Sequence, residues 1–327
     1  MRLVVLGNDV AELKASMATW LIAWTAARRG IPTTLAGIEG LSWGAGCLRV
    51  YGPLVNDHED SATALGSTKR KASHTVELGP GDVLLLRTNP ARDPERAGHH
   101  RAALGLARIA RDRGVTVLND PDVIERAGSK LYLHELPAEI RPRQLVTSRW
   151  TELLAFARNE PGPVVLKPLW GTRGDGVSKV DLHTQEPEAL LGVAEQLLKS
   201  GPVVAQEYLA AAPNGDTRVL MLDGEVIEVQ GKRAAVRRVP KPGEFRSNVH
   251  LGASAAPAIW DEGLERVVRI AGPVLRASGV WLAGMDVVGE HIVEVNTYAP
   301  GGFMNAESHE GVDFLGALID AVIAKIG

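Results

Sequence analysis

Two segments of this chain hold residue types spaced so that they could act on a phosphorylated ligand. The first reads Val165-Leu166-Lys167-Pro168-Leu169-Trp170-Gly171-Thr172-Arg173-Gly174-Asp175-Gly176-Val177. Gly171, Gly174 and Gly176 let backbone N–H groups come close to an anion, as phosphate oxygens require. Lys167 precedes the glycines and a strand follows them, whereas a Walker loop has the reverse order and opens a helix. Two readings remain: a strand–loop–strand flap over a nucleotide, with Lys167 supplying charge, or a tight hairpin with a solvated lysine. A second lysine, Lys130 in Gly128-Ser129-Lys130-Leu131-Tyr132, falls near the start of an expected helix. Alone it is uninformative, since most such lysines face solvent; it gains weight only from the company of other motifs.

The second segment runs from Gly284 through Met285, Asp286, Val287, Val288, Gly289, Glu290, His291, Ile292, Val293, Glu294 and Val295 to Asn296. Side chains alternate along a strand, so Ile292, Glu294 and Asn296 share one face. A three-residue loop, Gly289 to His291, sets Val288 opposite Ile292 and Asp286 opposite Glu294. Met285, Val287, Val293 and Val295 then form an apolar face. Two carboxylates directly opposite repel each other. A Mg²⁺ ion, hard and oxygen-seeking, removes that penalty and bridges carboxylates to nucleotide phosphates. The competing reading is a two-residue turn, Gly289-Glu290, which sends Asp286 and Glu294 to opposite faces of a solvated hairpin.

The elements around these segments change character along the chain. Leu3 to Leu6 predicts a buried strand and Ala11 to Arg29 a helix closed by Gly30, before a strand over Pro32 to Ala36. Gly7 lacks the partner glycines of a dinucleotide fingerprint. Asp82 to Leu86 and Val115 to Leu118 read as strands around a helix over Arg96 to Arg113, which completes an alternating α/β layer. Ser61 to Lys71 is the most loop-like stretch. Beyond it, Val164 to Leu166 and Val177 to Val180 pair locally, Glu186 to Lys199 is helical, and Pro202 to Tyr208 is a strand. Asp223-Gly224 marks a two-residue hairpin. A helix over Asp261 to Ala277, a hairpin over Trp281 to Val295 and a helix over Val312 to Ile326 follow. The expected organisation is an α/β N-terminal domain over 1–120, then an α+β region divided at 121–200 and 201–327.

Composition excludes other classes. The formal net charge of -3 with 23% charged residues gives no reason to expect nucleic acid. Cys47, the lone cysteine, excludes an internal disulfide and a cysteine-rich metal cluster, so a reducing compartment is expected. The opening apolar run is too short for a signal peptide, and no stretch reaches the roughly 20 apolar residues of a membrane span. The expectation is a soluble, cytoplasmic protein, with no membrane partner and with a homo-oligomer allowed.

Taken in order, the motifs resemble bacterial glutathione synthetase of the ATP-grasp superfamily, from about Arg87 to Pro300. Leu118-Asn119-Asp120-Pro121 and Lys130-Leu131-Tyr132 are similar to that family's N-x-P and E-K-L-Y. Val165 to Gly176 resembles V-L-K-P-L-x-G-x-x-G-x-G. Gln206-Glu207-Tyr208-Leu209, Gly215-Asp216-Thr217-Arg218 and Asp223-Gly224 resemble Q-R-Y-L, G-D-K-R and D-G. Arg246-Ser247-Asn248 resembles R-x-N, and Gly284 to Gly289 with Glu294-Val295-Asn296 resembles G-x-D-V-I-G and E-I-N. The resemblance implies an ATP-grasp fold, two lobes clamping ATP, and an ADP-forming ligase that joins a small carboxylate to an amine through an acyl phosphate. It implies that Lys130, Lys167 and the glycines Gly171, Gly174 and Gly176 contact nucleotide phosphates, and that Gln206, Glu207 and Tyr208 line the adenine slot. Asp216 would lie near the ribose or the acceptor. Asp286, Glu294 and Asn296 would hold Mg²⁺, with Mn²⁺ as the alternative ion. Arg218, Arg246 and Arg238 would face the transferring phosphoryl group. Such chemistry brings two anions together, so it needs cations and a closed flap that excludes water. Arg233, Arg237, Arg238, Lys241 and Arg246 taken simply as a basic run would be a solvated loop.

The departures from the family pattern gather where substrates would sit. Arg87-Thr88-Asn89-Pro90-Ala91-Arg92-Asp93 replaces R-K-D-P-P-F-D, so Asn89 stands for an acid and Arg92 for an aromatic. Of a Gly-Gly pair, Gly252 is kept and Ala253 replaces the second. Thr297-Tyr298-Ala299-Pro300-Gly301 replaces V-T-S-P-T, and Gly301-Gly302 could form an anion nest. The family's acidic D-T-T segment is not recognisable around Lys14 to Thr19. Arg92 and Arg96 predict a substrate more anionic than the family's. The alternatives are glutathione synthetase itself, an ATP-grasp kinase that releases a phosphorylated small molecule, and a nucleotide-binding module without turnover.

Overall fold

The computed structural model describes the chain except residues 172–173, 248–251 and 327. The flap residues Thr172 and Arg173 and the motif residue Asn248 lie outside the described residues.

The apolar opening forms β1 (Leu3–Gly7), which α1 (Ala18–Arg28) connects to β2 (Thr33–Gly37) in parallel. The expected helix start at Ala11 is corrected: 11–16 is a turn region, where Lys69 Nζ donates to the carbonyls of Ala11 and Leu13 at 2.7 and 2.8 Å. β3 (Leu41–Gly44) and β4 (Cys47–Gly52) pair antiparallel. The segment expected as a loop is a helix, α2 (Ser61–Arg70), that precedes β5 (His74–Leu78). Asp60 caps it by accepting from the Thr63 N–H at 2.7 Å, and Ala64 and Leu65 are buried. Cap and packing thus override a Ser/Thr/Gly-rich composition.

β6 (Val83–Leu86), α3 (Ala97–Asp112), β7 (Thr116–Leu118) and α4 (Pro121–Ala127) complete the first unit. The parallel sheet has the order β2-β1-β6-β7. Leu3 and Val5 join a core with Trp20 and Ile22 of α1, while Val4 and Leu6 join one with Ala103 and Ala107 of α3. A strand buried on both faces explains the unbroken apolar run.

β8 (Gln144–Thr147), α5 (Trp150–Asn159), β9 (Val164–Pro168), β10 (Ser178–Val180), α6 (Pro187–Leu198) and β11 (Val203–Glu207) form an antiparallel sheet of order β10-β9-β11-β8. Its core includes Leu153, Leu166, Leu190 and Val203.

The remaining strands are β12 (Asp216–Leu222), β13 (Glu225–Val226), β14 (Glu228–Val229), β15 (Lys232–Arg233), β16 (Ala235–Val239) and β17 (Ser254–Pro257). After α7 (Glu262–Ala277) come β18 (Leu282–Val288) and β19 (His291–Asn296). The large sheet has the order β17-β16-β12-β18-β19. Asp223 and Gly224 take φ of 50° and 79°, as the expected two-residue hairpin requires. Two helices close the chain: α8 (Phe303–Glu310), which the sequence reading did not anticipate, and α9 (Phe314–Ala324). Phe314, Leu318 and Ile319 of α9 enter the core of α1 and β1. Among the described residues no helix is long and apolar enough to cross a membrane.

Candidate active site

The large sheet brings four charged side chains into register. Arg218 on β12 stands opposite Asp286 on β18, and Asp216 on β12 stands opposite Arg238 on β16. Arg238 grips Asp216 with Nε and Nη2 at 2.6 and 2.7 Å, and its Nη2 also reaches Asp286 at 2.8 Å. Arg218 holds Asp286 through both Nε and Nη2, the latter at 2.8 Å. Opposite charges on neighbouring strands stabilise the sheet, and bidentate guanidinium pairs fix their geometry. Asp286 is only 2% exposed. Burial alone would raise its pKa, but Arg218 and Arg238 hold it below the ordinary range. Burial and the Asp286 charge push Asp216 up, against Arg238.

The hairpin of β18 and β19 combines both sequence readings. Its turn has two residues, since Val288 pairs with His291 and Val287 with Ile292. A bulge then intervenes, and Asp286 faces Glu294. Val293 is the extra residue. The expected apolar face is therefore corrected: Ile292, not Val293, packs with Met285, Val287 and Val295, while Val293 and Glu294 both line the cleft. Asn296 Nδ2 approaches Asp286 Oδ2 at 3.4 Å. Two carboxylates and an amide on adjoining strands offer hard oxygen donors in the small number that Mg²⁺ takes from a protein when phosphates and water supply the rest. Among the described residues there is no group of three or more His, Cys, Asp or Glu side chains that could hold a metal ion.

Gly171 and Gly174 share a cavity with Asp216, Arg238 and Asp286 of this sheet. Lys167 on β9 donates to Gln206 Oε1 at 2.5 Å, and Gln206 donates to Gln144 Oε1 at 3.2 Å. Burial and the nearby Lys130 charge lower the Lys167 pKa to about 8, against Glu294 and Asp286. Burial lowers Lys130 as well, with Glu294 opposing. Lys130 opens the helix expected there, a six-residue 3-10 helix, and its N–H meets the Leu169 carbonyl at 3.4 Å.

A cavity of about 120 Å³ is lined by Val165, Lys167, Gly171, Gly174, Gln206, Glu207, Tyr208, Asp216, Phe245 and Arg246. Tyr208 and Phe245 meet edge-to-face at 6.0 Å, giving it an aromatic wall. Gly176 does not line this cavity: a Cβ there would meet Leu197 of α6 at 3.2 Å, so it shapes the flap's return. Glu207 turns its carboxylate to Arg143 at 2.5 Å. Arg246 pairs with Glu244 at 2.7 Å, which holds that carboxyl down at about 2, and touches the Gly174 carbonyl at 3.5 Å.

A second cavity, of about 950 Å³, extends from Arg218 and Asn296 to Met17, Arg87, Asn89 and Arg92. Lys130, Gly171, Arg238 and Glu294 line both cavities, which therefore meet at these four residues. Arg92 is on the wall. Arg96 is not; it is held by Asp93 at 2.9 Å and Glu39 at 3.5 Å, which corrects its expected place beside the substrate. Gly301 lines the cavity, with its carbonyl facing Arg218 Nη1 at 3.3 Å.

Two contributors lacked an assigned role in the sequence reading. Arg87 is 3% exposed and donates to the Pro300 carbonyl at 2.7 Å. Burial pushes its pKa down to about 9. Asn119 is buried and accepts from the Trp281 and Leu282 N–H groups at 3.0 and 2.7 Å while donating to the carbonyls of Leu282 and Thr297. It thereby pins β18 and the segment after β19. Their places in the segment matching R-K-D-P-P-F-D and in the N-x-P motif were the available signal.

Comparison with known proteins identifies the family. Residues 129–311 match the family model described as prokaryotic glutathione synthetase, ATP-grasp domain. Glutathione synthetase of Agrobacterium fabrum is 32% identical over 76% of this chain and 74% of its own. That of Prochlorococcus marinus is 37% identical over 72% of each. Among solved structures, D-cycloserine synthetase DcsG superposes with a TM-score of 0.67 at 16% identity, over 99% of this chain and 100% of that one. The ATP-grasp ligase PsnB with its minimal precursor gives 0.65 at 20% identity over 99% of both. These last two establish the fold. The chain belongs to the prokaryotic glutathione synthetase family of ATP-grasp enzymes, and is an ATP-dependent, ADP-forming carboxylate–amine ligase.

Proposed function

We propose that ATP lies in the smaller cavity with its γ-phosphoryl group at the junction, and that a small carboxylate enters from the larger one. The observation that carries this reading is the sharing of Lys130, Gly171, Arg238 and Glu294 by both cavities. Val165, Tyr208 and Phe245 provide apolar contact for adenine, while Gln206 and Glu207 edge the slot. Lys130, Lys167 and the backbone of Gly171 and Gly174 take the phosphates. Asp286, Glu294 and Asn296 would hold Mg²⁺, with Mn²⁺ as the alternative, and the ion would neutralise phosphate charge. The units 1–120, 121–200 and 201–327 serve as substrate domain, lid and base of the clamp, in a cytoplasmic enzyme.

A carboxylate oxygen attacks the γ-phosphorus and ADP leaves with the electrons of the broken P–O bond. Arg218 and Arg238 stabilise the charge that gathers in transfer. An amine then attacks the acyl carbon, inorganic phosphate departs, and the amine gives up a proton. The flap and Arg246 keep water from the acyl phosphate. No covalent enzyme nucleophile is needed, in keeping with a chain whose one cysteine, Cys47, lies outside both cavities.

Glutathione synthetase activity itself is the second reading, favoured by the names of the relatives. The substituted wall at Asn89 and Arg92 argues for a different carboxylate. The test is ATP-dependent phosphate release against a panel of carboxylates and amines that includes γ-glutamylcysteine with glycine, with products weighed by mass spectrometry. ADP with an amide supports ligation. A stable phosphorylated product would replace it with a kinase.

A further inference from the structure

Part of the wall of the large cavity is built from the N-cap Met17 and Ala18 and Thr19 of α1 together with Arg87, Asn89 and Arg92. Arg87 has a single hydrogen bond there, to Pro300, and its Nε and Nη1 are buried without a partner among the described residues. Buried donors are nearly always satisfied, and a buried guanidinium calls for an anion. The 11-residue helix α1 opens on the same space. Its N-cap is Met17, in extended conformation, with no side-chain cap and no acid in the first turn. The N–H groups of Ala18, Thr19 and Trp20 make no hydrogen bond among the described residues. Helix amides left open in this way, aligned with the macrodipole, bind anions.

The wall also lacks what a cationic group would need. Among the described lining residues the one acid is Glu294, at the junction beside Lys130, against Arg87, Arg92, Lys130, Arg218 and Arg238. Asn89 and Met17 occupy stretches where the family pattern has acids.

We infer that this part of the wall is a subsite for a second carboxylate of the acyl donor, one with no ammonium group beside it. The inference rests on the ligase reading of the same cavity and narrows its substrate to non-amino dicarboxylic acids. One carboxylate meets Arg87 and the α1 amides, and the other reaches the junction, where it is phosphorylated.

Calorimetry of the full chain with ADP and Mg²⁺ tests it, using linear diacids from succinate to pimelate. Each is compared with its monoacid and its α-amino diacid of equal length. The best diacid should bind at least about tenfold more tightly than both comparators, the scale of a lost charged hydrogen bond. Met17→Asp supplies the missing cap, so it favours folding, and it should cancel that advantage while leaving ATP affinity within about twofold. Arg87→Met should cancel it too. Equal affinity for monoacid and diacid, a preference for the amino diacid, binding of none of the series, or an unaffected Met17→Asp would overturn the inference. Failure of the ligase reading shows separately, as diacid binding without phosphate release or amide product for any amine.

Discussion

Asp286 faces Glu294 across β18 and β19 although the turn between the strands is only two residues long, because the bulge at Val293 restores the register. The two carboxylates are not equivalent. Asp286 is clasped by Arg218 and Arg238, while Glu294 faces the cleft near Lys130 and Lys167. Glu294→Gln keeps shape and removes charge from the metal side. Its Tm should stay within a few degrees of the parent, while phosphate release should fall about 100-fold or more, as for loss of one preorganised electrostatic group. A mutant that keeps near-normal turnover at saturating Mg²⁺ would rule out Glu294 as a ligand.

Asp286→Asn should behave differently. It leaves two guanidinium groups beside a neutral amide at a site 2% exposed. Breaking a buried pair on one side costs about 3–5 kcal/mol, so the denaturation midpoint should drop along with activity. An activity loss without a shift in midpoint would show that the arginines find other partners.

The first unit has its own buried charge. Asp82, just before β6, accepts from Arg2 Nη2 at 2.5 Å, from the Arg2 N–H at 2.9 Å and from the Gly79 N–H at 3.2 Å. Burial would raise its pKa, but these partners hold it below the ordinary carboxylate value. The folded form therefore binds its proton at lower pH than the unfolded chain does. Asp82 contributes stability in full above the unfolded value of about 3.9, and that contribution is lost as pH falls through the folded one. The stability gap between the parent and Asp82→Asn in urea melts should be full at pH 7 and shrink steadily as pH falls below about 3.9; a gap that stays constant or widens with acid would reject the linkage.

What could be read from the sequence was whatever local pattern decides. Leu3 to Leu6 read as a buried strand and Asp223-Gly224 as a two-residue turn, and both are found. The opposition of Asp286 and Glu294 was anticipated for a reason that proved wrong, since a three-residue loop and a two-residue turn with a bulge give the same pairing. Bulges depend on how a strand meets its partner and leave no mark in alternation. Helix α2 was missed because its stability comes from Asp60 and from packing Ala64 and Leu65, not from propensity. Arg96 was misplaced because it turns to Asp93, three residues before it, and to the sequence-distant Glu39, a choice that charge and spacing alone do not reveal.

Arg92 and Arg96 now separate into distinct tests. Arg92 lines the large cavity, so Arg92→Glu reverses charge on the wall where an anionic substrate would rest. Its KM for the carboxylate should rise at least about tenfold while KM for ATP stays level, a split expected when a binding contact is lost without a change at the reacting centre. Arg96 spends its charge on Asp93 and Glu39, and Asp93 in turn meets His100 Nε2 at 3.1 Å. Arg96→Ala should therefore lower stability by about 0.5–2 kcal/mol through a partly exposed network and leave both KM values unchanged. If Arg96→Ala raised the carboxylate KM as much as Arg92→Glu did, the guanidinium would have to reach the cavity in the bound state, and the division of roles between the two arginines would fall.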